Sequence, residues 1–371
     1  FQQFLQDKRC PDKVRELAKE PLLLYLLAAM HRDGKLAIEM FEGASGVGAK
    51  ILIYEQSLEW VLSEQRPVWL NRELTGLETE ALRTILAEAG LCVVQSGGEC
   101  AKLKMIEERL KGDDSASQLL RQARERQGND ALKNALAAFY LQSVAGDKAG
   151  AVEFAHKSFG EFLCAERLKE SLEDWMRPGI KRQEFYIKTE EMDWQIYDLL
   201  GYGGLTPEIG EYLMALLINP SKGEKADDLQ LVKLFKRLEN FYLRWCDAEF
   251  IDAPPENLPQ KKMRLLKEQL DIQQLGQRQR DIYTGLNVMI LLLSLHRYAQ
   301  SKDDLKDKIA FYPCGQKDTD SFENTRLLRI IGYSNCFGIG VFNQIVGSYL
   351  SGANLSGANL SGANLSGANL S

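Results

Sequence analysis

The C-terminal part of the chain repeats Ser-Gly-Ala-Asn-Leu without a change from Ser351 to Ser371. Alanine and leucine stand two apart in each repeat, and residues two apart in a strand point to the same side. The pattern predicts that alanine and leucine point inward, that asparagine points outward, and that Ser-Gly turns the corner. The predicted inward core is Leu350, Ala353, Leu355, Ala358, Leu360, Ala363, Leu365, Ala368 and Leu370.

Residues 1–72 show apolar positions at helical spacing. The leucine-rich run 22–27 predicts a largely buried helix. Pro21 falls near its start, where a helix tolerates proline. A glycine-rich segment, 43–48, leads into a second helical pattern over 51–62. These patterns indicate a helical domain over 1–72.

Residues 73–170 combine helical and strand patterns. Apolar spacing predicts a helix that ends at Gly90, followed by a short strand over 91–94. A second strand is predicted over 152–155, directly before a helix with an apolar face. Ser158 and Glu161 match the S-x-x-E capping box, which predicts that this helix begins at about Phe159. Helices followed by a hairpin have the outline of a winged helix. We therefore assign a winged-helix-like domain to 73–170.

The remaining chain divides into a helical linker or relay region, 171–330, and the repeat region together with its cap, 331–371. The longest apolar run, 286–295, is too short to span a membrane and predicts a buried helix. From Ile331 onward glycine, serine, asparagine and β-branched residues become common, and 342–349 is predicted to cap the repeat structure. The predicted fold class is therefore mainly α with a C-terminal β element.

Composition excludes several classes of protein. The chain is 45% hydrophobic and 26% charged, which is typical of globular domains. Its net charge is −6 and its basic residues are dispersed, so no nucleic-acid surface is indicated. Seven cysteines without a CxxC pair favour reduced thiols in the cytoplasm. The three histidines are far apart in sequence, and no metal site or membrane span is predicted.

The tail resembles the pentapeptide-repeat family, whose members form a right-handed quadrilateral β-helix with four pentapeptides in each coil. This resemblance implies a protein partner that binds the repeats. The predicted inward leucines make little more than one coil, which is too little to stand alone. We therefore expect the sequence to be a fragment that stops within a repeat array, and the first residue, Phe1, suggests that its front is also missing.

His156 is the candidate chemical residue outside the tail. It stands two residues before the predicted cap, Ser158, beside a helix N-terminus whose free N–H groups favour a phosphate. The alternative from the residues alone is a packed histidine at a strand end.

Three segments resemble the NACHT family of signal-transducing NTPases. Residues 154–163, FAHKSFGEFL, resemble its winged-helix motif, and the segments 15–24 and 53–60 resemble its helical domain. The resemblance implies that His156 contacts the β-phosphate of ADP and that Pro21, before its leucine run, packs against the adenine. Glu20 departs from the family, which usually has asparagine at this position.

The sequence does not carry the motifs of an NTPase active site. A phosphate loop requires G-x-x-x-x-G-K-[S/T], but in the similar segment 43–51 the lysine, Lys50, comes one residue late and Ile51 replaces the hydroxyl ligand of Mg²⁺. No Walker B run is found. His31-Arg32-Asp33 matches the start of the kinase catalytic loop, but the asparagine of that motif does not follow. The tripeptide is therefore interpreted as a helix end with Gly34 as its cap. We expect no ATP hydrolysis by this chain and ADP or ATP only in a longer parent protein.

Three hypotheses follow for function. The preferred one is a regulatory fragment of a NACHT-type switch that contributes an ADP-sensing lid and the start of a repeat surface, in a parent that forms nucleotide-dependent homo-oligomers. The alternative is a stand-alone pentapeptide-repeat interaction module. An acidic, DNA-mimicking module is disfavoured because the outward residues are asparagine and serine. The third is an enzyme of unrecognised type within 171–330.

Overall fold

The computed structural model describes residues 1–41, 46–62, 79–97, 100–111, 118, 121, 125, 141–143, 151–154, 157–180, 183–218, 227–252, 257–265, 267–268, 276–363, 365 and 368–369. These residues are mainly helical, as the sequence predicts. They fall into two compact units. The first comprises Phe1–Lys169 and Glu211–Lys225, and the second comprises Glu170–Gly210 and Ala226–Ser371.

The described helices are, in chain order, α1 (Gln2–Gln6), α2 (Asp12–Leu17), α3 (Pro21–Arg32), α4 (Val47–Trp60), α5 (Thr79–Gln95), α6 (Leu103–Lys111), α7 (Lys157–Met176), α8 (Thr189–Leu200), α9 (Pro207–Ile218), α10 (Asp228–Cys246), α11 (Glu249–Asp252), α12 (Leu258–Leu265), α13 (Gln277–Gln300), α14 (Arg326–Ser334) and α15 (Val341–Val346). Short 3₁₀ turns cover Ile38–Phe41 and Gly347–Tyr349.

The first unit contains a small antiparallel sheet. Its strands are β1 (Cys100–Lys102), β2 (Leu141–Ser143) and β3 (Ala151–Phe154), in the order β1-β3-β2. Val152 of β3 is opposite Ala101 on one side and Ser143 on the other. The strand predicted from residue 152 is confirmed through Phe154, and Ala155 lies outside the described residues.

Gly90 lies inside α5, so the predicted helix end at this residue and the predicted strand over 91–94 are both wrong. An apolar run of four residues fits a buried helix as well as a strand. The structure shows why glycine stands at this position. A Cβ atom on Gly90 would lie 2.8 Å from the Leu163 Cβ and 2.9 Å from the Cys164 nitrogen of α7. The glycine therefore permits close helix packing and does not stop the helix.

Helix α7 begins at Lys157, two residues before the predicted start. Ser158 is therefore inside the first turn and not at the cap position that the S-x-x-E pattern suggested. The predicted apolar face is confirmed, because Phe159, Phe162 and Leu163 are all buried. The helical end at 31–33 is also confirmed, since α3 stops at Arg32 and Gly34 adopts a φ of 69°.

Helix α13 is the centre of the second unit, where α8, α10, α12 and α15 pack against it. The run 286–295 within it is buried throughout, as predicted. A helix that is apolar on all sides belongs in a core. Asn287 is accommodated there because its side chain donates to the Leu200 and Gly203 carbonyls, at 2.8 and 2.6 Å. Among the described helices, none is long and apolar enough to cross a membrane.

The segment before the repeats is helical. Residues 326–334 form α14, and the predicted cap, 342–349, consists of α15 and the following 3₁₀ turn. Buried side chains on this segment, among them Phe342 and Tyr349, pack in the second unit. The change in composition at Ile331 therefore does not coincide with a change from helix to repeat, which comes at Leu350.

Candidate functional site

The described tail forms one turn every five residues. The N–H groups of Ala353, Ala358, Ala363 and Ala368 each donate to the carbonyl of the leucine three residues earlier, at 2.9–3.0 Å. Gly352, Gly357 and Gly362 occupy the third turn position with φ between 72° and 76°. A positive φ at this position is what a type II turn requires, and glycine adopts it without steric strain. The five-residue period of the sequence is thus a period of turns.

The tail differs in exposure between its residue types. Leu350 is buried, whereas the described alanines and leucines from Ala353 to Ala368 are half-buried. Asn354, Ser356 and Ser361 are exposed. The side chains of Asn354 and Asn359 each accept from the backbone N–H two residues later, at 3.2 and 3.0 Å, which forms an Asx turn. Leu370 lies outside the described residues.

The tail is held to the second unit through its backbone. The N–H of Asn359 donates to the Asn324 carbonyl at 2.8 Å, and the N–H of Asn369 donates to the Gly347 carbonyl at 3.0 Å. Arg297, near the end of α13, donates to the carbonyls of Tyr349 and Ser351, at 2.9 and 3.1 Å. These bonds anchor the repeats to the helices that precede them.

A family model described as "Pentapeptide repeats (8 copies)" matches residues 345–371. The tail is a pentapeptide-repeat segment. Pentapeptide repeats often serve as protein-interaction modules. No curated protein and no solved structure matches the chain, and the comparisons give no evidence for a NACHT domain. The pentapeptide-repeat segment begins within α15, five residues before the first regular turn.

Pro21, the residue that resemblance places against adenine, is the first residue of α3 and is exposed. Glu20 precedes it, and the Glu20 Oε1 lies 3.8 Å from the Lys50 Nζ of α4. The same ammonium group lies 5.6 Å from the ring centroid of Tyr212. The start of α3 is therefore close to α4 and to the aromatic residue that α9 contributes to the first unit.

Tyr54 of α4 is the centre of an aromatic cluster in this region. Its ring centroid lies 5.2 Å from Phe159, 5.3 Å from Phe162 and 6.1 Å from Tyr212. Burial raises the pKa of the Tyr54 hydroxyl, and the nearby carboxylates of Glu20 and Glu161 raise the pKa further. The pKa of Tyr54 thus depends on carboxylates near the starts of both α3 and α7.

His156 lies outside the described residues. Helix α7 begins at the next residue, Lys157, whose Nζ is 3.5 Å from the Glu161 Oε1. Glu20, which precedes Pro21, and Glu161, which pairs with Lys157, both raise the pKa of Tyr54. The structure does not describe the imidazole itself.

The other two histidines pack against neighbouring residues of the fold. His31 packs edge-on against Phe1 and Phe4. His296 is buried, and its Nδ1 lies 3.3 Å from the Phe311 nitrogen. Burial lowers the pKa of the His296 imidazole. Within the described ranges, no group of three or more His, Cys, Asp or Glu side chains could hold a metal ion.

Glu88 of α5 is a buried carboxylate that sequence reasoning did not identify. Its Oε2 accepts from the Arg109 Nε at 2.9 Å, and its Oε1 accepts from the Arg167 Nε. Burial alone would raise the pKa of Glu88, but the two guanidinium groups outweigh burial and the pKa lies below its usual value. The ion pairs join α5, α6 and α7 in the first unit.

Asp281 of α13 is a second buried carboxylate, with neutral partners. It accepts hydrogen bonds from the Tyr197 hydroxyl at 2.5 Å, the Tyr333 hydroxyl at 3.0 Å and the Trp245 indole N–H at 3.1 Å. Burial raises the pKa of Asp281 to about 6, against the effect of the three donors. Its partners lie 36 to 84 residues away in sequence, so no local pattern could have revealed the cluster.

Proposed function

We propose that the chain is a protein-interaction module whose pentapeptide repeats bind a protein partner. The repeat match over 345–371 is the observation that supports this proposal. Repetition of one turn produces a row of equivalent exposed positions, the usual design of a recognition surface. The exposed asparagine and serine side chains offer both donors and acceptors to a partner, and the backbone anchors at Arg297 and Asn324 hold that surface on a helical base.

Ser356→Arg tests the repeat surface. Ser356 is exposed and its side chain makes none of the turn bonds, so arginine should obstruct a partner without unfolding the tail. The partner is first identified by photo-crosslinking from position 361 in a native extract and is then purified. We expect Ser356→Arg to weaken its binding by roughly tenfold or more, about 1.4 kcal/mol.

The matched control is Ser301→Arg, at an exposed serine after α13 in the same unit. This variant should bind the purified partner within about twofold of the unmodified chain. Equal binding by both variants would show that the repeats are not the interaction surface.

We further propose that the first unit supplies the lid of a NACHT-type nucleotide-dependent switch, with the repeats as its sensor. In this proposal His156 would hold the β-phosphate of ADP, Pro21 would pack against the adenine, and replacement of ADP by ATP would release the lid. The convergence of the starts of α3 and α7 on Tyr54 favours it. The phosphate loop would come from outside residues 1–371, so these residues alone would neither retain nucleotide nor hydrolyse ATP. Nucleotide-dependent homo-oligomerisation belongs to the same proposal, whereas the quadrilateral β-helix belongs to the proposal for the repeats.

His156→Ala, made in a parent protein that contains a phosphate loop, tests the lid. Loss of one hydrogen bond to a charged group corresponds to roughly tenfold weaker ADP retention. The measurement is the ADP content of the purified protein, by chromatography of the released nucleotide. His31→Ala is the matched control, because His31 packs on Phe1 and Phe4 at the opposite end of α3 from Pro21. Unchanged ADP content in His156→Ala would reject the lid and would leave the repeat proposal intact.

A further inference from the structure

A cavity of about 940 Å³ lies beside the first pentapeptide turn in the second unit. Its described walls come from α10, the end of α13, the segment 306–326 and residues 352–355 of the first repeat. Small-molecule sites usually occupy roughly 300–1,000 Å³. The cavity therefore has the size of a ligand site, and the repeat forms one of its walls.

The described lining has an excess of positive charge. Its charged side chains are Lys236, Lys306, Lys308 and Arg326 against Glu239 and Asp307. His296 adds no charge at neutral pH, because burial lowers the pKa of its imidazole. Asp303, outside the lining, pairs with Lys306 at 2.9 Å and leaves one formal positive charge in excess, whose sign suits the −1.5 to −2 that a phosphomonoester carries near pH 7.

Arg326, the first residue of α14, is buried in this lining with only 8% of its surface exposed. Its NH2 donates to the Ser321 carbonyl at 3.1 Å. Its Nε and NH1 are buried and have no hydrogen-bond partner among the described residues. A guanidinium has five N–H donors, and buried donors of a charged group are costly when they remain unsatisfied. Arg326 lines the cavity, so a ligand that enters it brings an acceptor beside this guanidinium.

The counter-charge of Arg326 is shared with a second arginine. The Arg326 Nε lies 3.4 Å from the Glu323 Oε2, whereas the Arg329 NH1 and NH2 contact both Glu323 oxygens at 2.9 and 3.0 Å. One carboxylate thus faces two guanidinium groups. Neighbouring Tyr242, Cys246 and Cys314 contribute no compensating charge, because burial raises the pKa of each.

We propose that this cavity binds a phosphate-bearing small molecule, with the guanidinium of Arg326 and the ammonium groups of Lys236 and Lys308 as its ligands. The site is separate from the proposed nucleotide lid, because all its described residues belong to the second unit. Its occupant would also touch the repeats. His296 makes backbone hydrogen bonds to Ile309 and to Gly352 of the first turn, so one side chain joins the cavity wall to the start of the pentapeptide array.

The test is titration of the full chain with inorganic pyrophosphate by isothermal calorimetry, at fixed ionic strength. Lys236→Gln with Lys308→Gln removes two exposed lysines of the lining. We expect this double variant to weaken pyrophosphate binding by at least about tenfold. Lys233→Gln with Lys302→Gln is the matched control, because it removes the same charge from α10 and from the residues after α13 without altering the lining. The control should stay within about twofold.

Two further variants locate the ligand. Arg326→Lys keeps the charge but loses the fork of donors, and should also weaken binding. Arg278→Gln alters a neighbouring cavity of about 720 Å³ that Arg326 also lines, and should have no effect. Amide exchange of residues 350–355 should slow when pyrophosphate binds.

The proposal is overturned by any of three results: no saturable binding of pyrophosphate, an equal loss in the two lysine pairs, or a loss with Arg278→Gln that exceeds the loss with Lys236→Gln and Lys308→Gln. The lysine pairs keep the test decisive even if Arg326→Lys folds poorly. Binding that survives His156→Ala would separate this site from the nucleotide lid.

Discussion

Glu88 in the first unit and Asp281 in the second are both almost fully buried, at 4% and 2% exposed, yet their pKa values move in opposite directions. Glu88 contacts two guanidinium groups, whereas Asp281 accepts from two tyrosine hydroxyls and an indole. Full charges offset the loss of solvent around a carboxylate, and neutral donors offset only part of it. The number of hydrogen bonds alone therefore does not fix the protonation state of a buried acid.

The two carboxylates give stability opposite dependences on pH. The pKa of Glu88 is lowered by folding, so its contribution is present above the ordinary pKa of 4.5 and is lost as the pH falls through the folded value. The pKa of Asp281 is raised from 3.8 to about 6, so its contribution is largest in acid and is lost as the pH rises to about 6. Mild acid should therefore increase the contribution of Asp281 to stability while leaving Glu88 ionised.

The largest expected effect is the loss of folding stability in Glu88→Gln. The substitution leaves Arg109 and Arg167 facing a neutral amide, and breaking a buried ion pair typically costs about 3–5 kcal/mol. Asp281→Asn removes a charge that has no cationic partner among its described hydrogen bonds, so it should cost less than about 2 kcal/mol at pH 7. Urea denaturation, monitored by hydrogen exchange of peptides from α5 and α13, measures both losses of stability.

Glu166→Gln provides a reference within the first unit, because Glu166 pairs with one arginine, Arg83, and not with two. We expect the loss of stability in Glu166→Gln to lie between the losses in Glu88→Gln and Asp281→Asn. If Asp281→Asn proves as destabilising as Glu88→Gln, the contrast between charged and neutral partners is wrong.

The next effect is the pH dependence of the second unit. A shift from 3.8 to about 6 corresponds to on the order of 3 kcal/mol that is lost between pH 4 and pH 7. The unfolding free energy of α13, from hydrogen exchange corrected for intrinsic rates, should fall over this range in the unmodified chain. The difference between that chain and Asp281→Asn isolates the carboxyl. A difference that is constant from pH 4 to pH 7 would mean that Asp281 keeps an ordinary pKa.

The smallest effect is that of Tyr333→Phe on the pKa of Asp281. The Tyr333 hydroxyl donates to the Asp281 Oδ2 and lowers its pKa, so its removal should raise the pKa by roughly one unit. Carbon-13 NMR titration of labelled aspartate measures the change. Tyr283→Phe serves as the control, since the Tyr283 ring packs against Phe337. An unchanged pKa in Tyr333→Phe would show that the Tyr333 hydroxyl does not contribute to the value.

Local patterns predicted the parts of this fold that depend on neighbours in sequence. The buried run of α13, the strand ending at Phe154 and the end of α3 at Gly34 follow from hydrophobic period and glycine position. The five-residue period of the tail likewise became a period of turns. In each case the signal and the structure lie within one element.

The features that local patterns missed depend on distant contacts. Gly90 looked like a helix end, but its role is set by Leu163 and Cys164 in another helix. The partners of Glu88 are 21 and 79 residues away, so its ion pairs could not be assigned from spacing. The proposed role of His156 remains a prediction from resemblance, because that residue lies outside the described chain.

The anchors of the tail have a consequence for its length. Arg297, Asn324 and Gly347 hold backbone atoms, and every repeat offers the same backbone turn. The non-repeating residues up to Tyr349 set the phase, so insertion of a single residue before the repeats would place a serine where glycine now has positive φ. Whole blocks of five residues preserve that phase. The array can therefore be extended by whole blocks of five residues without changing the turns that the helical part of the second unit anchors.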